Sequence, residues 1–335
     1  MAEKVLTISV AAYNVADYLK QTLESCLALS YKDFEVLIVN DGSSDTTAQI
    51  AADYEKHYPD IFKLVSKENG GYGSTVNTAL EVAQGKYFKL LDGDDWFDTD
   101  GLESLLSVLR DNDVDLVLTP YVRQEEGVGT KIVDQAEGIE ERIWDFDECP
   151  IPWRISMHSM AYRTALVRES GLRLEEHCVY TDTDYITEPL HRVHTVYVSH
   201  TPVYQYRIGR EGQSMERAGR IRHRGEMESL IYRMLKRWPS LENTNTTAER
   251  VCRAWLIDDI VGHLQLLYSM DASDQIKDEI LRFTEYVRTA APALYRDTLK
   301  HSQWAFLFDK GGARGYKAVS AAYHAFLAVK DALKR

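Results

Sequence analysis

The sequence has few of the residues that cross-link or interrupt a chain. Only 4 cysteines and 8 prolines occur among its 335 residues. The cysteines are widely spaced and none belongs to a Cys-x-x-Cys pair, so they predict neither a disulfide framework nor a zinc site. We therefore expect free, buried thiols, as in a protein of the reducing cytosol.

Long apolar runs and a basic charge balance are also missing. No stretch reaches the roughly 20 apolar residues that a membrane-spanning helix needs, and the apolar stretch at the N-terminus is too short for a signal peptide. The chain has 39 Lys and Arg against 52 Asp and Glu, a formal net charge of -13. Because nucleic acids demand a basic surface, we expect no nucleic-acid partner. The expected location is the cytoplasm, with peripheral contact at the inner face of the membrane left open.

What is present is typical of a globular protein. Hydrophobic residues make up 44% and charged residues 27% of the chain, and the length predicts a main domain with a smaller addition. Over 5–120, short apolar runs alternate with longer amphipathic ones. This alternation predicts an α/β fold, a mostly parallel sheet flanked by helices.

The individual elements follow from the apolar periodicity. Strands are predicted at 5–10, 34–39, 61–65, 87–91 and 115–119, with helices near 19–27, 75–83 and 102–110. The pattern loosens after 121, where we predict strands at 158–162, near 196 and at 203–206, and a helix at 182–190. From 220 onward the chain is predicted to be helical, with a final helix after Gly311 and Gly312.

Three polar loops follow predicted strands, at 11–14, 40–45 and 92–95. In an open α/β sheet, ligands collect at the carboxyl ends of strands. Two of these loops are rich in carboxylates, so we expect a ligand site where the three converge.

Asp92-Gly93-Asp94 predicts a metal site. Residues two apart at a strand end face the same side, and Gly93 permits a sharp turn between them. A divalent cation relieves the repulsion of the carboxylates and bridges to diphosphate oxygens, and Mn²⁺ or Mg²⁺ suits such ligands. The alternative is an acidic turn that caps the next helix. The position after a buried-type strand and beside Trp96 favours the metal.

Asp41 favours a uridine nucleotide. A carboxylate can accept the N3–H of uracil, whereas cytosine presents an acceptor at that position. The alternative is a turn or helix cap, but Ser43, Ser44 and Asp45 already offer acceptors for that purpose. Tyr13 can supply an aromatic face for the base, although tyrosines more often pack in a core.

Three motifs in order, SVAAYNVADYLKQTLESCL, FEVLIVNDGSSDTT and GKYFKLLDGDDWF, resemble the family 2 glycosyltransferases of the GT-A fold. The resemblance is close over about the first 120 residues and looser to about 215. It implies inverting transfer of a hexosyl or N-acetylhexosaminyl group from a UDP-sugar to a hydroxyl of a glycan or lipid-linked saccharide, in bacterial-type surface polysaccharide or glycoconjugate synthesis. We accordingly predict a catalytic domain at 1–219, with a nucleotide half to about 120 and an acceptor half after it, and a helical region at 220–335.

The resemblance also implies roles for particular residues. Asp92 resembles a ribose or metal contact and Asp94 the principal metal ligand, while the predicted nucleotide contacts are Ala11, Tyr13, Asn14, Asp41, Lys67, Asn77, Asp92 and Gly93. Two positions depart from the family pattern. Ala11 replaces a common proline, and Val76 replaces an arginine. Any donor contact made by that arginine must come from elsewhere, and Lys67 and Asn77 are the candidates.

The segment 171–190 resembles the part of the family that carries the catalytic base. Inverting transfer needs one carboxylate to take the proton of the acceptor hydroxyl. Asp182 matches that base, although Thr181 stands where a glutamate is usual. Asp184 and Glu176 are the alternatives for the base, and a helix N-cap is the alternative role for Asp182.

Two basic segments complete the predicted site. Arg207 and Arg210 belong to a glycine-containing stretch that resembles a flap over the diphosphate, and guanidinium groups suit phosphate oxygens. A solvent-facing role is equally open for both. The apolar stripe of the last helix, which includes Tyr323 and Phe326, predicts docking on the protein's own core, with membrane contact as the alternative. Homodimer formation is left open.

Other functions fit the sequence less well. A nucleotidyltransferase usually has a glycine-rich, basic loop after the first strand, and 11–16 has neither property. No Gly-x-Gly-x-x-Gly motif of an NAD-binding enzyme follows that strand either. A degenerate transferase that serves as a binding subunit is the main alternative. The presence of Asp41, Asp92, Asp94 and Asp182 argues against such decay.

Overall fold

The structure is a computed structural model that describes residues 4–27, 32–125, 127–152, 154–209 and 217–332. It consists of two compact units, Met1–Gln213 and Ser214–Arg335. The first unit contains both sheets, and the second is built from helices. The predicted division of the first domain into a nucleotide half and an acceptor half stays a prediction.

The first unit alternates strands and helices along most of its length. Its strands are β1 (Lys4–Ala12), β2 (Phe34–Asp41), β3 (Phe62–Lys67), β4 (Gly85–Asp92), β5 (Trp96–Phe97), β6 (Leu116–Leu118), β7 (Tyr121–Glu125), β8 (Gly129–Val133), β9 (Ile143–Asp145), β10 (Met160–Arg163), β11 (Thr195–Val198) and β12 (Tyr204–Ile208). Its helices are α1 (Ala16–Glu24), α2 (Thr47–His57), α3 (Tyr72–Val82), α4 (Thr99–Asp111), α5 (Thr164–Glu169) and α6 (Asp182–Thr187).

A central sheet has the order β3-β2-β1-β4-β10-β6-β11-β9. The neighbours from β3 to β4 pair in parallel, while β10 runs antiparallel to β4 and β6. Every residue of β2 is buried, as expected for a near-continuous apolar strand with both faces covered. The predicted α/β fold with a mostly parallel sheet is confirmed.

The strand order reverses between β1 and β4, because β1 is followed by β2 on one side and later by β4 on the other. Such a reversal opens a crevice at the carboxyl ends of the strands. Ala11 of β1 pairs with Asp92 of β4, and Asp41 of β2 pairs with Lys67 of β3. The register therefore brings the predicted ligand loops to one edge of the sheet.

A second, small sheet has the order β5-β12-β7-β8. Its strand β12 pairs antiparallel with β5 and parallel with β7. Since β5 directly follows the loop after β4, this sheet places β12 beside that loop. The loose pattern after 121 did not predict this arrangement.

The second unit consists of α7 (Arg217–Arg222), α8 (Arg224–Arg237), α9 (Thr247–Tyr268), α10 (Asp274–Ala290), α11 (Pro292–His301) and α12 (Gln303–Ala332). Thr246 and Ser273 cap the starts of α9 and α10 with their side chains. The predicted final helix is the later part of α12, which is broken at Gly312, where φ is +53°. Within the described ranges, none of the helices combines the length and the hydropathy that crossing a membrane requires.

The predicted apolar stripe of the last helix is partly covered. Tyr323 is buried, whereas Phe326 and Val329 are 42% and 60% exposed. Tyr323 contacts the ring of Trp304 at 5.0 Å between centroids, so this part of the stripe packs within its own unit. Leu333 lies outside the described residues. Membrane contact through the exposed part, and homodimer formation, stay predictions.

Candidate active site

The loops after β1 and β2 are hydrogen-bonded to each other. Asn14 has a left-handed backbone, with φ at +50°, and its side-chain oxygen accepts a hydrogen bond from the backbone N–H of Ser44 at 2.8 Å. The backbone N–H of Asn14 donates to the Ser43 hydroxyl at 3.1 Å. Asp45 accepts from the backbone N–H of Ala16 at 3.1 Å. Asn14 therefore fixes the rim of the crevice, and its predicted contact with a nucleotide stays a prediction.

Small residues allow the loops after β1 and β4 to approach closely. The backbone N–H of Gly93 donates to the carbonyl of Ala11 at 3.0 Å. A Cβ atom at Gly93 would lie 2.7 Å from that carbonyl oxygen, closer than side chains tolerate. Tyr13, in the same loop as Ala11, is 52% exposed. Its ring is accessible for stacking rather than packed in the core.

The Asp41 carboxylate is 1% exposed and lies at the start of α3. One oxygen accepts hydrogen bonds from Lys67 Nζ and the backbone N–H of Gly70, both at 2.9 Å, and the other accepts from the N–H of Gly71 at 2.8 Å. Ser74 adds a hydroxyl at 3.2 Å. Because a helix N-terminus presents free N–H groups, a carboxylate is stabilised there. Asp41 and Lys67 thus form one buried ion pair.

Asn77 is used to hold a distant segment. Its amide nitrogen donates to the carbonyl of Leu174 and its amide oxygen accepts from the N–H of Leu174, both at 2.9 Å. Gly73 helps this contact, since a Cβ there would lie within 3.0 Å of Leu174. The pairing fastens α3 to the segment that precedes α6. The predicted contact between Asn77 and the donor stays a prediction.

Asn77→Ala is expected to lower the free energy of unfolding by about 3 kcal/mol, because two backbone groups of Leu174 lose their partners in a buried place. Urea unfolding followed by circular dichroism measures the effect as a lower midpoint. Gln49→Ala, an exposed amide on α2 that bonds Asp53, is the matched control and should shift the midpoint little. Equal midpoints for both variants would contradict this role of Asn77.

The loop after β4 is fixed by Tyr204 of β12. The backbone N–H of Asp92 donates to the Tyr204 oxygen at 3.1 Å, and the Tyr204 hydroxyl donates to Asp95 at 2.7 Å. Asp95 also accepts from the backbone N–H of Arg207 at 2.7 Å. Burial, followed by the charges of Asp92 and Asp94, raises the pKa of Asp95 to about 9. Near neutral pH this carboxyl is therefore protonated, beside the negative charges of Asp92 and Asp94.

A lysine and a histidine lie under the same loop. Lys89 of β4 is fully buried, and its Nζ donates to the carbonyls of His158 at 2.9 Å and Met160 at 3.2 Å. Burial lowers the pKa of Lys89 to about 7. Burial and the nearby Lys89 lower the pKa of His158 to about 3. The His158 imidazole is therefore neutral, and it stacks on Tyr206 at 4.4 Å between centroids.

Tyr72, the first residue of α3, connects the loop after β4 with α6. Its buried phenol forms a hydrogen bond with the Asp92 side chain, and its pKa is raised well above the usual value by burial and by the charge of Asp92, with a smaller contribution from Asp182. Asp182 is the first residue of α6. The structure thus brings Asp182 close to the Asp92 loop, although the two are separated by 90 residues in sequence.

The three carboxylates considered for the base have different surroundings. Burial raises the pKa of Asp182, against hydrogen bonds from the backbone N–H groups of Thr183 and of Asp182 itself. Asp184 is 3% exposed. Glu176 is exposed and pairs with Arg173 at 3.6 Å. Thr181 makes no side-chain cap bond.

Arg207 lies in β12 with its guanidinium group held at the crevice. Its Nε donates to the Asp94 carbonyl at 2.9 Å and an Nη donates to Gln21 at 2.8 Å. The group also lies over the Trp96 ring, 4.7 Å from its centroid. These contacts fix the positively charged guanidinium group of Arg207 beside Asp94. Arg210 lies outside the described residues, so its predicted place in a flap stays a prediction.

One group of side chains has the geometry of a cation site. Ligand atoms of Asp92, Asp95 and His158 lie within 4.8 Å of one another. Carboxylate oxygens suit Mn²⁺ and Mg²⁺, so the donor set fits a divalent cation. The predicted ligand Asp94 is adjacent, and its charge contributes to the raised pKa of Asp95 and Tyr206.

Sequence reasoning missed several residues of this site. Asp95 directly follows the predicted motif, and its position was the available signal. Tyr72, Lys89, His158 and Tyr204 come from elements far apart in the chain, where no spacing pattern connects them to Asp92. The fold had to be known before they could be found.

Comparison with known proteins identifies the fold and the family. A model of glycosyl transferase family 2 matches residues 7–171. The chain is 35% identical over 129 residues to the putative glycosyltransferase EpsH of Bacillus subtilis, a match that covers 38% of this chain and 37% of EpsH. The chain therefore spans little more than a third of that relative.

Two solved structures share the fold at lower identity. S. aureus TarS 1–349 in complex with UDP-GlcNAc has a TM-score of 0.63 at 18% identity and covers 96% of this chain and 89% of its own. The mannosyltransferase PcManGT of Pyrobaculum calidifontis, in complex with GDP-Man and Mn²⁺, has a TM-score of 0.52 at 18% identity. The match covers 96% of this chain and 86% of PcManGT.

The fold is that of the GT-A-like enzymes, with an acidic loop at the reversal of strand order. Within that class, residues 7–171 match family 2 of the glycosyltransferases. The predicted fold class and the family resemblance are both confirmed.

Proposed function

We propose that the protein is a metal-dependent, inverting glycosyltransferase that moves a hexosyl or N-acetylhexosaminyl group from a UDP-sugar to an acceptor hydroxyl. The observation that carries the proposal is the position of Tyr72 between two carboxylates. Its phenol forms a hydrogen bond with Asp92, and Asp182 is close enough for its charge to contribute to the raised pKa of that phenol. A leaving-group site and a base at neighbouring positions are what a single displacement requires.

Asp92 and Asp94 are the proposed ligands of the cation. A divalent cation at this position supplies positive charge that stabilises the leaving diphosphate. Arg207, held beside Asp94, presents a second positive charge to the same phosphates. Burial, followed by the charges of Asp92 and Asp94, raises the pKa of Asp95 to about 9, and a cation would stabilise the charged form of these gathered carboxylates.

The nucleotide is proposed to lie along the rim formed by the loops after β1 and β2. Tyr13 presents its exposed ring to the base, and Asp41 accepts the N3–H of uracil. In the structure both oxygens of Asp41 already accept hydrogen bonds, from Lys67, Ser74 and the N–H groups of Gly70 and Gly71. The flexible side chain of Lys67 can turn toward the diphosphate and so free a lone pair of Asp41 for uracil. TarS is described with UDP-GlcNAc and PcManGT with GDP-Man, so the fold accommodates both kinds of nucleotide and Asp41 carries the preference for uridine.

Asp182 is proposed to take the proton. The acceptor oxygen forms its bond to the anomeric carbon while the bond from that carbon to the diphosphate oxygen breaks, and the hydroxyl proton passes to the Asp182 carboxylate. Burial raises the pKa of Asp182, and a carboxylate with a raised pKa is a stronger base. The acceptor is proposed to be a glycan or a lipid-linked saccharide of surface polysaccharide or glycoconjugate synthesis.

Thermal unfolding with a panel of nucleotide sugars tests the donor. UDP-sugars with Mn²⁺ are expected to raise the melting temperature by about 5 °C at saturation, since a ligand at a hundred times its Kd adds about 2.7 kcal/mol. GDP-mannose and UDP without metal are the comparison arms. A larger shift with GDP-mannose than with every UDP-sugar would reject the uridine preference.

A degenerate transferase that only binds nucleotide sugars is the alternative function. It shares the fold and the predicted contacts, but it does not break the sugar–phosphate bond. Slow release of UDP from a stabilising UDP-sugar, measured with Mn²⁺ and without acceptor, separates the two. We expect release by the wild-type chain, and its complete absence would favour the binding subunit.

A further inference from the structure

The imidazole of a half-buried histidine, His158, faces the acidic loop after β4. His158 precedes β10, the strand that pairs with β4, and its ligand atom lies within 4.8 Å of ligand atoms of Asp92 and Asp95. The Nε2 atom is shielded from solvent and has no hydrogen-bond partner among the residues that the structure describes. A buried polar atom without a partner is destabilising, so a ligand that engages Nε2 stabilises the site.

The Ser156 hydroxyl engages one nitrogen of the ring. Nδ1 of His158 lies 2.6 Å from that hydroxyl. The tautomer in which Nδ1–H donates to Ser156 has the lone pair of the neutral ring on Nε2, the nitrogen left for a ligand.

We propose that His158 is a nitrogen ligand of the divalent cation at the active site and gives the site a preference for Mn²⁺ over Mg²⁺. The proposal rests on the proposed metal-dependent transferase and adds a ligand to it. A metal-bound histidine commonly donates its other ring N–H to a fixed acceptor, and the Ser156 hydroxyl lies 2.6 Å from Nδ1 of His158, in position to accept that bond. Imidazole suits transition metals, whereas Mg²⁺ prefers oxygen ligands in a strict octahedron.

The neighbouring carboxylates can share the cation without losing their present bonds. Asp95 accepts one hydrogen bond on each oxygen, from Tyr204 and from Arg207, and each carboxylate oxygen has two lone pairs. The ring itself is held in place by stacking on Tyr206 at 4.4 Å. A rigid imidazole beside acidic groups is the arrangement that a mixed nitrogen and oxygen site needs.

Electron paramagnetic resonance with Mn²⁺ alone, on the full chain, tests the proposal directly. Pulsed spectra of the wild type should show a directly bonded ¹⁴N, and His158→Phe should lose it, since the variant keeps an aromatic ring but no nitrogen. Titration should also show that the ratio of Mn²⁺ to Mg²⁺ affinity falls by about tenfold or more in His158→Phe.

Tyr206→Phe is the matched control, because it alters the same stack and leaves the imidazole intact. It should keep the ¹⁴N signal and the metal preference. Bound Mn²⁺ without nitrogen coupling in the wild type, an unchanged ratio in His158→Phe, or the absence of Mn²⁺ binding to the folded wild type would each overturn the proposal. Circular dichroism confirms that the variants compared are folded.

These outcomes are distinct from a failure of the proposed function. If nitrogen coupling is absent but Asp182→Asn still abolishes sugar transfer, the transferase stands and His158 is only a packing residue. If nitrogen coupling is present but no nucleotide sugar is bound or cleaved, the cation site stands and the proposed reaction does not.

Discussion

Asp94→Ala is expected to reduce sugar transfer by about a thousandfold and to abolish the metal-dependent part of UDP-sugar binding. The side chain is a proposed ligand of the cation that offsets the charge of the leaving diphosphate, and removing such stabilisation costs several kcal/mol in the transition state. Turnover of a UDP-sugar identified by the thermal screen, with calorimetric titration of UDP in the presence and absence of Mn²⁺, measures both effects.

Asp100→Ala is the matched control for this change. Asp100 lies in the first turn of α4 and is exposed, so the variant removes the same charge a short distance along the chain. It should retain wild-type turnover and metal-dependent binding. If both variants lose activity equally, the effect of Asp94→Ala reflects general charge rather than cation binding.

Asp182→Asn is expected to spare UDP binding and to reduce transfer by about 10²–10⁴-fold, the usual contribution of a general base. The amide keeps the size of the side chain but cannot accept the proton. In the wild type, transfer should fall as the pH drops through the pKa of Asp182, which burial raises above the ordinary value of 3.8. Below that pKa the carboxylate is protonated and is no longer a base. Initial rates of transfer, measured over a range of pH values, show this fall.

Glu176→Gln and Asp184→Asn separate the three carboxylates. Glu176 is exposed and paired with Arg173, so its variant should transfer sugar at the wild-type rate. Near-normal transfer by Asp182→Asn, combined with loss in Asp184→Asn, would move the base to Asp184. The same result with loss in Glu176→Gln would move it to Glu176.

The sequence predicted those elements whose apolar pattern directly reflects their burial in the fold. Strand β2 reads as a continuous apolar run because both its faces are covered, and its predicted range of 34–39 corresponds to Phe34–Asp41 in the structure. The helical character after 220 followed from long amphipathic periods. The convergence of the loops after β1, β2 and β4 followed from the general rule for parallel sheets.

The remaining parts depend on contacts between distant segments. The short strands β5, β7 and β8 have little periodicity of their own. In the β5–β12 pair, the ring of Tyr204 packs against that of Phe97, a residue more than 100 positions away in the chain. The predicted strand at 158–162 begins only at Met160, because 157–159 form a 3-10 turn that points His158 toward Asp92. The local sequence pattern predicts neither this turn nor the proximity of His158 to Asp92.

The pairing of Ala11 with Asp92 has a consequence for how such enzymes can vary. Side chains alternate between the two faces of a strand, so inserting or deleting one residue within β4 would send every later side chain to the opposite face. The side chains of Asp92 and Lys89 that follow the change would lie on the opposite face of the sheet. The candidate site would then be lost although the sheet remained intact. We therefore expect changes in length to be tolerated in the loops between elements rather than within β4.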